Sequence, residues 1–458
     1  MMQKRKWIIG ILLLALVIMT KATATATEKA DLKSVEQLIT CSLGKSEVRL
    51  EWKGVEGAKR YRISRTDSKG KGRVDLAEIK GCSFIDKTLE YDKEYIYYVT
   101  PLKKLKVKKI VEIPMVTSTK NSTSSAIEIL YGTVKEVCWL EGQTSEISFS
   151  NKKVVATDHQ KYSYTEMQED IAVLNKKYNG LLSYSVVGKS ADGRAIYDVV
   201  IGNPKAKKTL LVVSTLHARE YMCSLLTMNQ IEYYLENYNK TIQGKKISSI
   251  LEEVCIHYIP MTNPDGVSIS QEGFDAIKDK TLRDKLKKMG GNTTRWKANA
   301  RGVDLNRNFP FDFRERGRIG AEGYSGPSAA SEPEVKAVVK LVDTLKKNNG
   351  LQAVVNYHAM GSIIFNGIAG CSEQVAADLK RMYKDAQSVT KYEDAQKYYR
   401  DTLVGSYGNS KEYYTCVVQV PSITIEIGRE AAPGPIEEFA TIWNENKDVV
   451  IRQAALFY

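Results

Sequence analysis

The stretch at residues 210–235 limits the fold most, because a buried strand there runs straight into a polar loop and then into a helix. Residues 210–214 are apolar or small and predict a short buried strand. Apolar residues then recur at helical spacing, at Leu225, Met228, Ile231 and Leu235. The loop between the two elements carries an imidazole, a guanidinium and a carboxylate, on His217, Arg219 and Glu220. This density of functional groups at the exit of a strand indicates a binding site.

Two residues of this loop are suitable ligands for a zinc ion. A catalytic zinc site takes three ligands from the protein and leaves one position open. His217 and Glu220 lie three residues apart and are suitable as two of these ligands. The pattern is short enough to arise by chance, and a surface loop with a salt-bridged Arg219 is the alternative interpretation. Residues further along the chain decide between the two.

The chain has only four histidines, so the search for a second imidazole ligand is short. His358 ends an apolar strand and, like His217, stands at a strand's exit, where ligands gather in α/β sheets. His257 lies inside an apolar strand, and we expect it to be a packed, hydrogen-bonded core residue. His159 opens a polar segment and is expected in solvent or in a linker. His358 is therefore the third expected ligand.

A metal-dependent hydrolase also needs a base, and Glu426 is the candidate because it lies within the β-branched strand predicted at residues 422–428. Burying an isolated charge costs several kcal/mol, so we expect the Glu426 carboxylate to face an open site. An ion pair with a lysine across the sheet is the alternative interpretation.

Six short motifs, taken in order along the chain, resemble those of the zinc carboxypeptidase family of carboxypeptidase A type. They are His217-Ala218-Arg219-Glu220, Asn263-Pro264-Asp265-Gly266, Gly302-Val303-Asp304-Leu305-Asn306-Arg307-Asn308-Phe309, Ser331-Glu332-Pro333-Glu334, Tyr357-His358 and Thr424-Ile425-Glu426. The resemblance covers residues 159–458, about two thirds of the chain. It implies that one Zn²⁺ is held by His217, Glu220 and His358. It also implies that Glu426 is the general base and later the proton donor to the leaving amine.

The resemblance assigns roles to four further residues. Asp304 matches the carboxylate that fixes the tautomer of a ligand histidine. Asn306 and Arg307 match the pair that grips the terminal carboxylate of the substrate, for which a planar guanidinium is well suited. Arg219 matches an arginine that lines the catalytic cleft. For Arg307 a surface salt bridge is the alternative interpretation.

Some positions depart from the best-known members of the family. Lys297 follows Trp296 where those members have the arginine that polarises the scissile carbonyl, although a lysine can still stabilise an oxyanion. With this lysine, residues 296–299 are more similar to those of bacterial members that cut γ-D-glutamyl-diamino-acid bonds in cell-wall peptides. The tyrosine that caps the substrate has no unambiguous match, and Tyr407 is our choice. Lys411 lies near the position that sets side-chain preference, so a substrate with an acidic side chain or an extra carboxylate is a hypothesis.

Residues 1–26 are expected to be a signal peptide. A basic segment, Lys4-Arg5-Lys6, precedes thirteen mostly apolar residues and then alternating alanines and threonines. A spanning helix needs about 20 apolar residues, so an uncleaved anchor is the weaker alternative. The seven cysteines are scattered and odd in number, which does not indicate a disulfide framework. We therefore expect a secreted, extracellular protein.

The rest of the chain divides into two expected domains and a connection. In residues 38–116, short runs of period two broken by polar clusters predict a β-sandwich of ~80 residues. Its Trp52 and its tyrosine-rich strands resemble a fibronectin type III domain. Residues 117–158 are predicted to be a linker or a small β extension. Residues 159–458 are predicted to be the catalytic α/β domain, with a mixed sheet of eight-stranded type flanked by helices.

The charge balance, 67 basic against 54 acidic residues, gives a net charge of +13. No nucleic-acid-binding motif is visible, so we expect a peptide or muropeptide partner and no nucleic acid. A basic exoprotein can associate with anionic cell-wall polymers, and a solvated lysine-rich surface is the alternative. We expect a monomer.

The leading prediction is a secreted zinc metallocarboxypeptidase that hydrolyses the peptide bond next to a terminal residue with a free carboxylate. Hydrolysis of γ-D-glutamyl-diaminopimelate bonds in cell-wall peptides is the alternative within the same chemistry. A non-catalytic binding protein that uses its sandwich domain for adhesion is the rival of another class. The joint presence of the three ligands, Glu426 and Arg307 speaks against that rival.

Overall fold

The computed structural model describes residues 31–43, 46–90, 93–117, 126–150, 153–348, 350–367, 370–398 and 407–458. The chain divides into two compact units, Met1–Ser42 with Ser46–Lys152, and Leu43–Lys45 with Lys153–Tyr458. The predicted signal peptide lies outside the described residues. In the part of the chain that the structure describes, no helix is both long and apolar enough to cross a membrane.

The first unit contains antiparallel strands in two sheets. The strands are β1 (Glu36–Ser42), β2 (Val48–Lys53), β3 (Arg60–Asp67), β4 (Val74–Ile79), β5 (Ser83–Asp86), β6 (Glu94–Thr117), β7 (Ala126–Glu141) and β8 (Ser145–Ser150). One sheet has the order β1-β2-β5, and the other has the order β4-β3-β6-β7 with β8 also paired to β6. Both β7 and β8 come from the region predicted as a linker or β extension.

The core of the first unit follows from alternation along its strands. In β3 the side chains of Tyr61 and Ile63 point inward, whereas those of the flanking arginines are half-buried. Tyr61 contacts Trp52 edge to face, with the ring centroids 5.4 Å apart. These residues belong to one apolar cluster with their neighbours from the other strands. The predicted all-β N-terminal region is confirmed, while its resemblance to a fibronectin type III domain stays a prediction.

The second unit is an α/β domain built on an eight-stranded mixed sheet. Its strands are β9 (Leu182–Lys189), β10 (Ala195–Ile201), β11 (Lys208–Ser214), β12 (Thr241–Ile242), β13 (Lys245–Lys246), β14 (Val254–Ile259), β15 (Leu351–His358), β16 (Ile363–Phe365), β17 (Glu393–Asp394) and β18 (Ser422–Glu426). The sheet has the order β17-β16-β18-β15-β11-β14-β10-β9, and β12 pairs with β13 in a separate hairpin. The predicted fold class is confirmed.

The helices of the second unit alternate with these strands. They are α1 (Tyr164–Lys177), α2 (Met222–Glu236), α3 (Ile247–Glu253), α4 (Pro264–Glu272), α5 (Lys280–Met289), α6 (Pro333–Asn348), α7 (Glu373–Thr390), α8 (Ser410–Glu412), α9 (Phe439–Asn446) and α10 (Val449–Ala455). A π-helical turn at Tyr413–Val417 follows α8. Strands β11, β14, β15 and β18 pair in parallel and are buried over nearly their whole length, which is typical of strands covered on both faces.

Two histidines away from the strand ends are held by carboxylates. His257, on β14, has its Nδ1 2.8 Å from Asp198 Oδ2, as expected for a hydrogen-bonded core residue. Burial opposes its charged form, but Asp198 outweighs burial and raises the pKa of His257 to about 10. His159 was expected in solvent or a linker, and the structure differs, because its ring nitrogens lie 2.9 Å from Asp158 and 3.1 Å from Glu166. Glu166 belongs to the capping box of α1, so His159 is anchored to a helix N-terminus.

Candidate metal centre and active site

Three parallel strands end side by side and bring the predicted ligands together. Between β15 and β18, His358 lies opposite Glu426 in the register. Between β11 and β15, Ser214 lies opposite Tyr357, so the loop that follows β11 starts beside His358. The candidate site therefore lies at the carboxyl ends of these strands, where α/β sheets gather ligands.

The loop after β11 is held in shape by Asn263, from the second motif. The Asn263 Nδ2 donates to the carbonyl oxygens of Leu216 at 3.0 Å and Ala298 at 3.2 Å. Its Oδ1 accepts from the Gly266 N–H at 3.0 Å and caps α4. A β-carbon on Gly266 would lie 2.6 Å from the Ala298 oxygen, so only glycine allows this close approach. This motif therefore builds the scaffold of the site.

The side chains of His217, Glu220 and His358 converge and are buried. His217 Nδ1 lies 2.8 Å from Glu220 Oε1, and His358 Nδ1 lies 3.0 Å from Glu220 Oε2. The two Nδ1 atoms are 3.1 Å apart, and all the candidate ligand atoms lie within 4.8 Å of one another. Imidazole nitrogens and a carboxylate that face a common point form the donor set that zinc prefers. The three residues therefore fit a zinc ion.

The charged states of the surrounding groups suit this role. Burial disfavours a charged Glu220, but His217 and His358 outweigh burial and hold the pKa of Glu220 well below its usual range. A metal-binding carboxylate must be ionised, and this one stays so. Burial acts in the same way on Asp304, whose pKa is nevertheless held well below its usual range by His217 and Lys297.

Asp304 orients His217. The Asp304 Oδ1 lies 3.1 Å from His217 Nε2, and its Oδ2 lies 3.7 Å from Lys297 Nζ. An ionised carboxylate can only accept, so it selects the tautomer with the proton on Nε2 and leaves the Nδ1 lone pair for a metal. The structure thus brings Asp304 into contact with His217, and its role in fixing the tautomer stays a prediction.

Glu426 ends β18 next to the candidate ligands. Burial raises the pKa of Glu426 to about 7, an effect that Glu220 increases and that His358 and Lys297 oppose. A carboxyl group poised near neutrality is suited to accept a proton and return it.

A 3₁₀ turn at Leu305–Arg307 carries the pair predicted to bind the substrate carboxylate. Asn306 Oδ1 accepts from the Ser410 N–H at 2.9 Å, which joins this turn to α8. Arg307 Nη1 donates to the Asn306 carbonyl oxygen at 2.7 Å. Among the described residues no carboxylate lies within salt-bridge distance of Arg307, so the surface ion pair considered as its alternative is not found there.

Tyr407 lies beside this pair. Its ring centroid is 5.8 Å from the guanidinium carbon of Arg307 and 5.0 Å from that of Arg316. The structure thus brings Tyr407 to the predicted carboxylate-binding residues, and its role as a substrate cap stays a prediction. Arg316 is a second cation at this point that sequence reasoning missed. Its only sequence signal is an arginine-rich run, Arg314-Glu315-Arg316-Gly317-Arg318.

Arg219 is tied to neighbouring segments. Its Nη1 donates to the Arg295 carbonyl oxygen at 3.1 Å and forms an ion pair with Glu322. This is the salt-bridged arrangement considered as the alternative for Arg219, and a catalytic role for the residue stays a prediction. A cavity of about 190 Å³ borders the ion pair, and Lys297, Asp304 and Glu322 are among the residues that line it.

Lys411, which the sequence associates with a preference for acidic substrate groups, is buried and paired with a carboxylate of the protein. Its Nζ lies 2.9 Å from Glu412 Oε1 and donates to the Gly367 carbonyl oxygen at 3.1 Å. The segment next to Asn306 therefore presents an ammonium and a carboxylate side by side. Glu412 is a candidate site residue that the sequence motifs did not single out.

Comparisons with known proteins give relatives of one enzyme class. The gamma-D-glutamyl-L-diamino acid endopeptidase 1 of Lysinibacillus sphaericus is 28% identical over 296 residues, which cover 62% of this chain and 70% of that protein. The metallocarboxypeptidase A of Trichophyton rubrum is 26% identical over 292 residues, which cover 59% of this chain and 65% of that protein.

A solved structure and a family model extend these matches. Bovine thrombin-activatable fibrinolysis inhibitor in complex with tick carboxypeptidase inhibitor has a TM-score of 0.50 at 19% identity, covering 64% of this chain and 96% of that chain. This similarity shows a shared fold. The family model described as zinc carboxypeptidase matches residues 167–449, a range that contains His217, Glu220, His358 and Glu426. Because this range is more than half of the chain, the protein belongs to the zinc carboxypeptidase family, a family of zinc-dependent hydrolases.

Proposed function

We propose that the protein is an exported metallocarboxypeptidase that hydrolyses the peptide bond next to a terminal residue with a free carboxylate. The observation that carries this proposal is the convergence of His217, Glu220 and His358 at the ends of neighbouring strands. There, His358 is the register partner of Glu426. Bound zinc supplies Lewis acidity, which polarises a carbonyl group and lowers the pKa of water to about 7. Export rests on the basic and apolar pattern of residues 1–26.

Side chains of the protein transfer the proton, stabilise the developing charge and bind the substrate. Glu426 takes the proton of the attacking water and returns it to the leaving amine. The Lys297 ammonium offsets the negative charge that develops on the scissile carbonyl oxygen. Asn306 and Arg307 bind the terminal carboxylate through charge-assisted hydrogen bonds and so hold the scissile bond in place.

A second candidate substrate is a γ-D-glutamyl-diaminopimelate peptide of the cell wall. The side chain of diaminopimelate ends in both an ammonium and a carboxylate. The ion pair of Lys411 and Glu412 contains one charge complementary to each group, and the neighbouring Ser410 links this segment to Asn306. The similarity to an endopeptidase named for γ-D-glutamyl-L-diamino acids supports this candidate. A basic surface would also favour anionic wall polymers.

Hydrolysis by the purified protein tests the proposal. The two substrates are a blocked dipeptide with a free carboxyl terminus and a γ-D-glutamyl-diaminopimelate muropeptide. Each is assayed with and without a zinc chelator, alongside Glu426→Gln, which keeps the size of the side chain and removes the base. We expect cleavage that the chelator abolishes and that Glu426→Gln lowers by about 10²–10⁴-fold, with the zinc content of the variant unchanged.

The substrate pattern then separates the candidates. Cleavage of the dipeptide supports a general carboxypeptidase, and cleavage of the muropeptide alone supports a cell-wall enzyme. Failure to cleave either substrate while zinc is bound would contradict catalysis and favour the binding-protein rival. Export is checked by N-terminal sequencing of the protein from the culture medium, and a secreted chain that still begins at Met1 would contradict the signal peptide.

A further inference from the structure

Cys371 and Cys416 lie on two segments that one glutamine holds together. The Gln419 Nε2 donates to the carbonyl oxygens of Cys416 at 2.8 Å and Gly370 at 3.4 Å. Its Oε1 accepts from the Ser372 N–H at 2.9 Å. The residues on both sides of Cys371 are therefore fixed against the segment that carries Cys416.

The Cys416 thiol lies against the residue that precedes Cys371. A β-carbon on Gly370 would lie 3.2 Å from Cys416 Sγ and 3.7 Å from its Cβ, and Cys371 is the next residue along the chain. Burial and the Cys416 thiol raise the pKa of Cys371, and Lys411 opposes this effect. The Lys411 Nζ donates to the Gly367 carbonyl oxygen at 3.1 Å, so its ammonium lies near the segment that carries Cys371. Both cysteine side chains are partly exposed, so a small oxidant can reach them.

We propose that Cys371 and Cys416 form an intramolecular disulfide by exchange with a small-molecule disulfide. The thiolate of one cysteine attacks the oxidant, forming a mixed disulfide and releasing one thiol. The thiolate of the second cysteine then attacks the protein sulfur of that mixed disulfide and releases the second thiol. The two protein thiols are oxidised to one disulfide, and the oxidant is reduced to two thiols.

The cross-link would restrain the segment that carries Lys411. The Lys411 Nζ donates to Gly367, shortly before Cys371, and Cys416 lies in the turn that follows α8. The adjacent Ser410 contacts Asn306 of the carboxylate-binding pair. This step rests on the proposed function, in which these cysteines are positioning residues for the Lys411 segment. The disulfide should therefore change KM for the substrate several-fold and change kcat less.

Thiol mapping of the full-length protein tests the disulfide itself. The folded protein is equilibrated with oxidised or reduced glutathione, alkylated, digested without reduction and analysed by mass spectrometry. We expect a peptide that joins Cys371 to Cys416 in the oxidised sample, and a Tm several degrees above that of the reduced sample. Cys371→Ser and Cys416→Ser should each abolish the cross-linked peptide and the Tm difference, whereas the matched control Cys82→Ser should keep both.

The results distinguish this inference from the proposed function. A folded, oxidised sample without the joined peptide would overturn the disulfide, as would a cross-link that appears only after denaturation. If the disulfide forms but KM and Tm are the same in both redox states, the restraint on the Lys411 segment is wrong. The mapping and the Tm do not depend on activity, so they decide the question even if neither substrate is cleaved.

Discussion

Asp304 serves two functional groups with one carboxylate. Its Oδ1 faces His217 Nε2 at 3.1 Å, and its Oδ2 accepts from the Gly323 N–H at 3.2 Å and lies 3.7 Å from Lys297 Nζ. This carboxylate is buried and its pKa is held well below the usual range, which suits the predicted role of orienting a ligand histidine while the ammonium of Lys297 lies beside it. The chemistry of Lys297 and the geometry of His217 are therefore linked through one residue.

Asp304→Asn should weaken zinc binding by about 10–100-fold, because a neutral amide supports the ligand tautomer of His217 less well. The affinity is measured by competition with a chromophoric chelator. Asp312→Asn, an exposed aspartate further along the same segment, is the matched control and should bind zinc like the unmodified protein. Equal affinities for Asp304→Asn and the control would show that the Asp304 charge does not support the metal site.

At the scale of elements, the first turn of α6 faces a cluster of buried polar groups. Glu334 Oε1 accepts from the Ala191 N–H at 3.0 Å, and its Oε2 accepts from Asn299 Nδ2 at 3.1 Å. The same Asn299 nitrogen donates to Glu332 Oε2 at 2.7 Å. Burial and the nearby Asp265 raise the pKa of Glu334 to about 8, although backbone N–H groups favour its charged form. The cluster thus joins α6 to the segments that carry Ala191 and Asn299, and its raised pKa favours a proton on Glu334 at neutral pH.

This proton makes stability depend on pH. The pKa of Glu334 rises from an ordinary 4.5 to about 8 on folding, so the folded state binds more protons than the unfolded state between these values. Its contribution to the free energy of unfolding is complete below about pH 4.5 and falls as pH rises towards 8, by at most ~1.4 kcal/mol per pH unit. Denaturant titrations at several pH values measure this slope.

Glu334→Gln is neutral at every pH and should remove this part of the slope. The exposed Glu437→Gln is the matched control and should keep it. An unchanged pH slope in Glu334→Gln would mean that the carboxyl group titrates alike in the folded and unfolded states.

The elements that could be predicted are those whose physics is local. Strands β14 and β15, which carry His257 and His358, were predicted because both are apolar runs. Strand β4 is hard to recognise from its sequence, since its apolar residues alternate with acidic residues and most of its side chains are exposed or half-buried, as in a surface loop. Strand β6 extends to Thr117 through a lysine-rich segment because it pairs along β7, and a partner on another strand cannot be read from local composition.

Some residues of the candidate site could likewise be recognised from the sequence, and others could not. His217, Glu220, His358 and Glu426 could be singled out because each stands at or near the end of an apolar strand. Glu322, the partner of Arg219, could not be singled out, because it lies about a hundred residues further along the chain and only the folded loops bring the two together. Arg316 and the pair of Cys371 and Cys416 could not be singled out either, since only the folded loops bring them to their neighbours.

At the scale of the whole molecule, each compact unit has an apolar core of its own. In the first unit this core includes Leu50, Trp52 and Tyr97, contributed by strands of both sheets. In the second unit the core surrounds the central strands and includes Leu211, Val354 and Leu345. A unit with its own core can unfold as a cooperative transition. The candidate zinc ligands all lie in the second unit.

Calorimetry of the full-length protein should therefore show two unfolding transitions. Zinc should raise the Tm of only one of them. Zinc at a thousand times its Kd should stabilise the second unit by about 4 kcal/mol, because the metal binds the folded site. Leu50→Ala leaves a cavity in the core of the first unit and should lower its free energy of unfolding by about 2–5 kcal/mol. Only the Tm of the zinc-insensitive transition should therefore fall. Asp304→Asn should shift the zinc-sensitive transition at a given zinc concentration and leave the other unchanged. A single transition that responds both to zinc and to Leu50→Ala would show instead that the two cores unfold together.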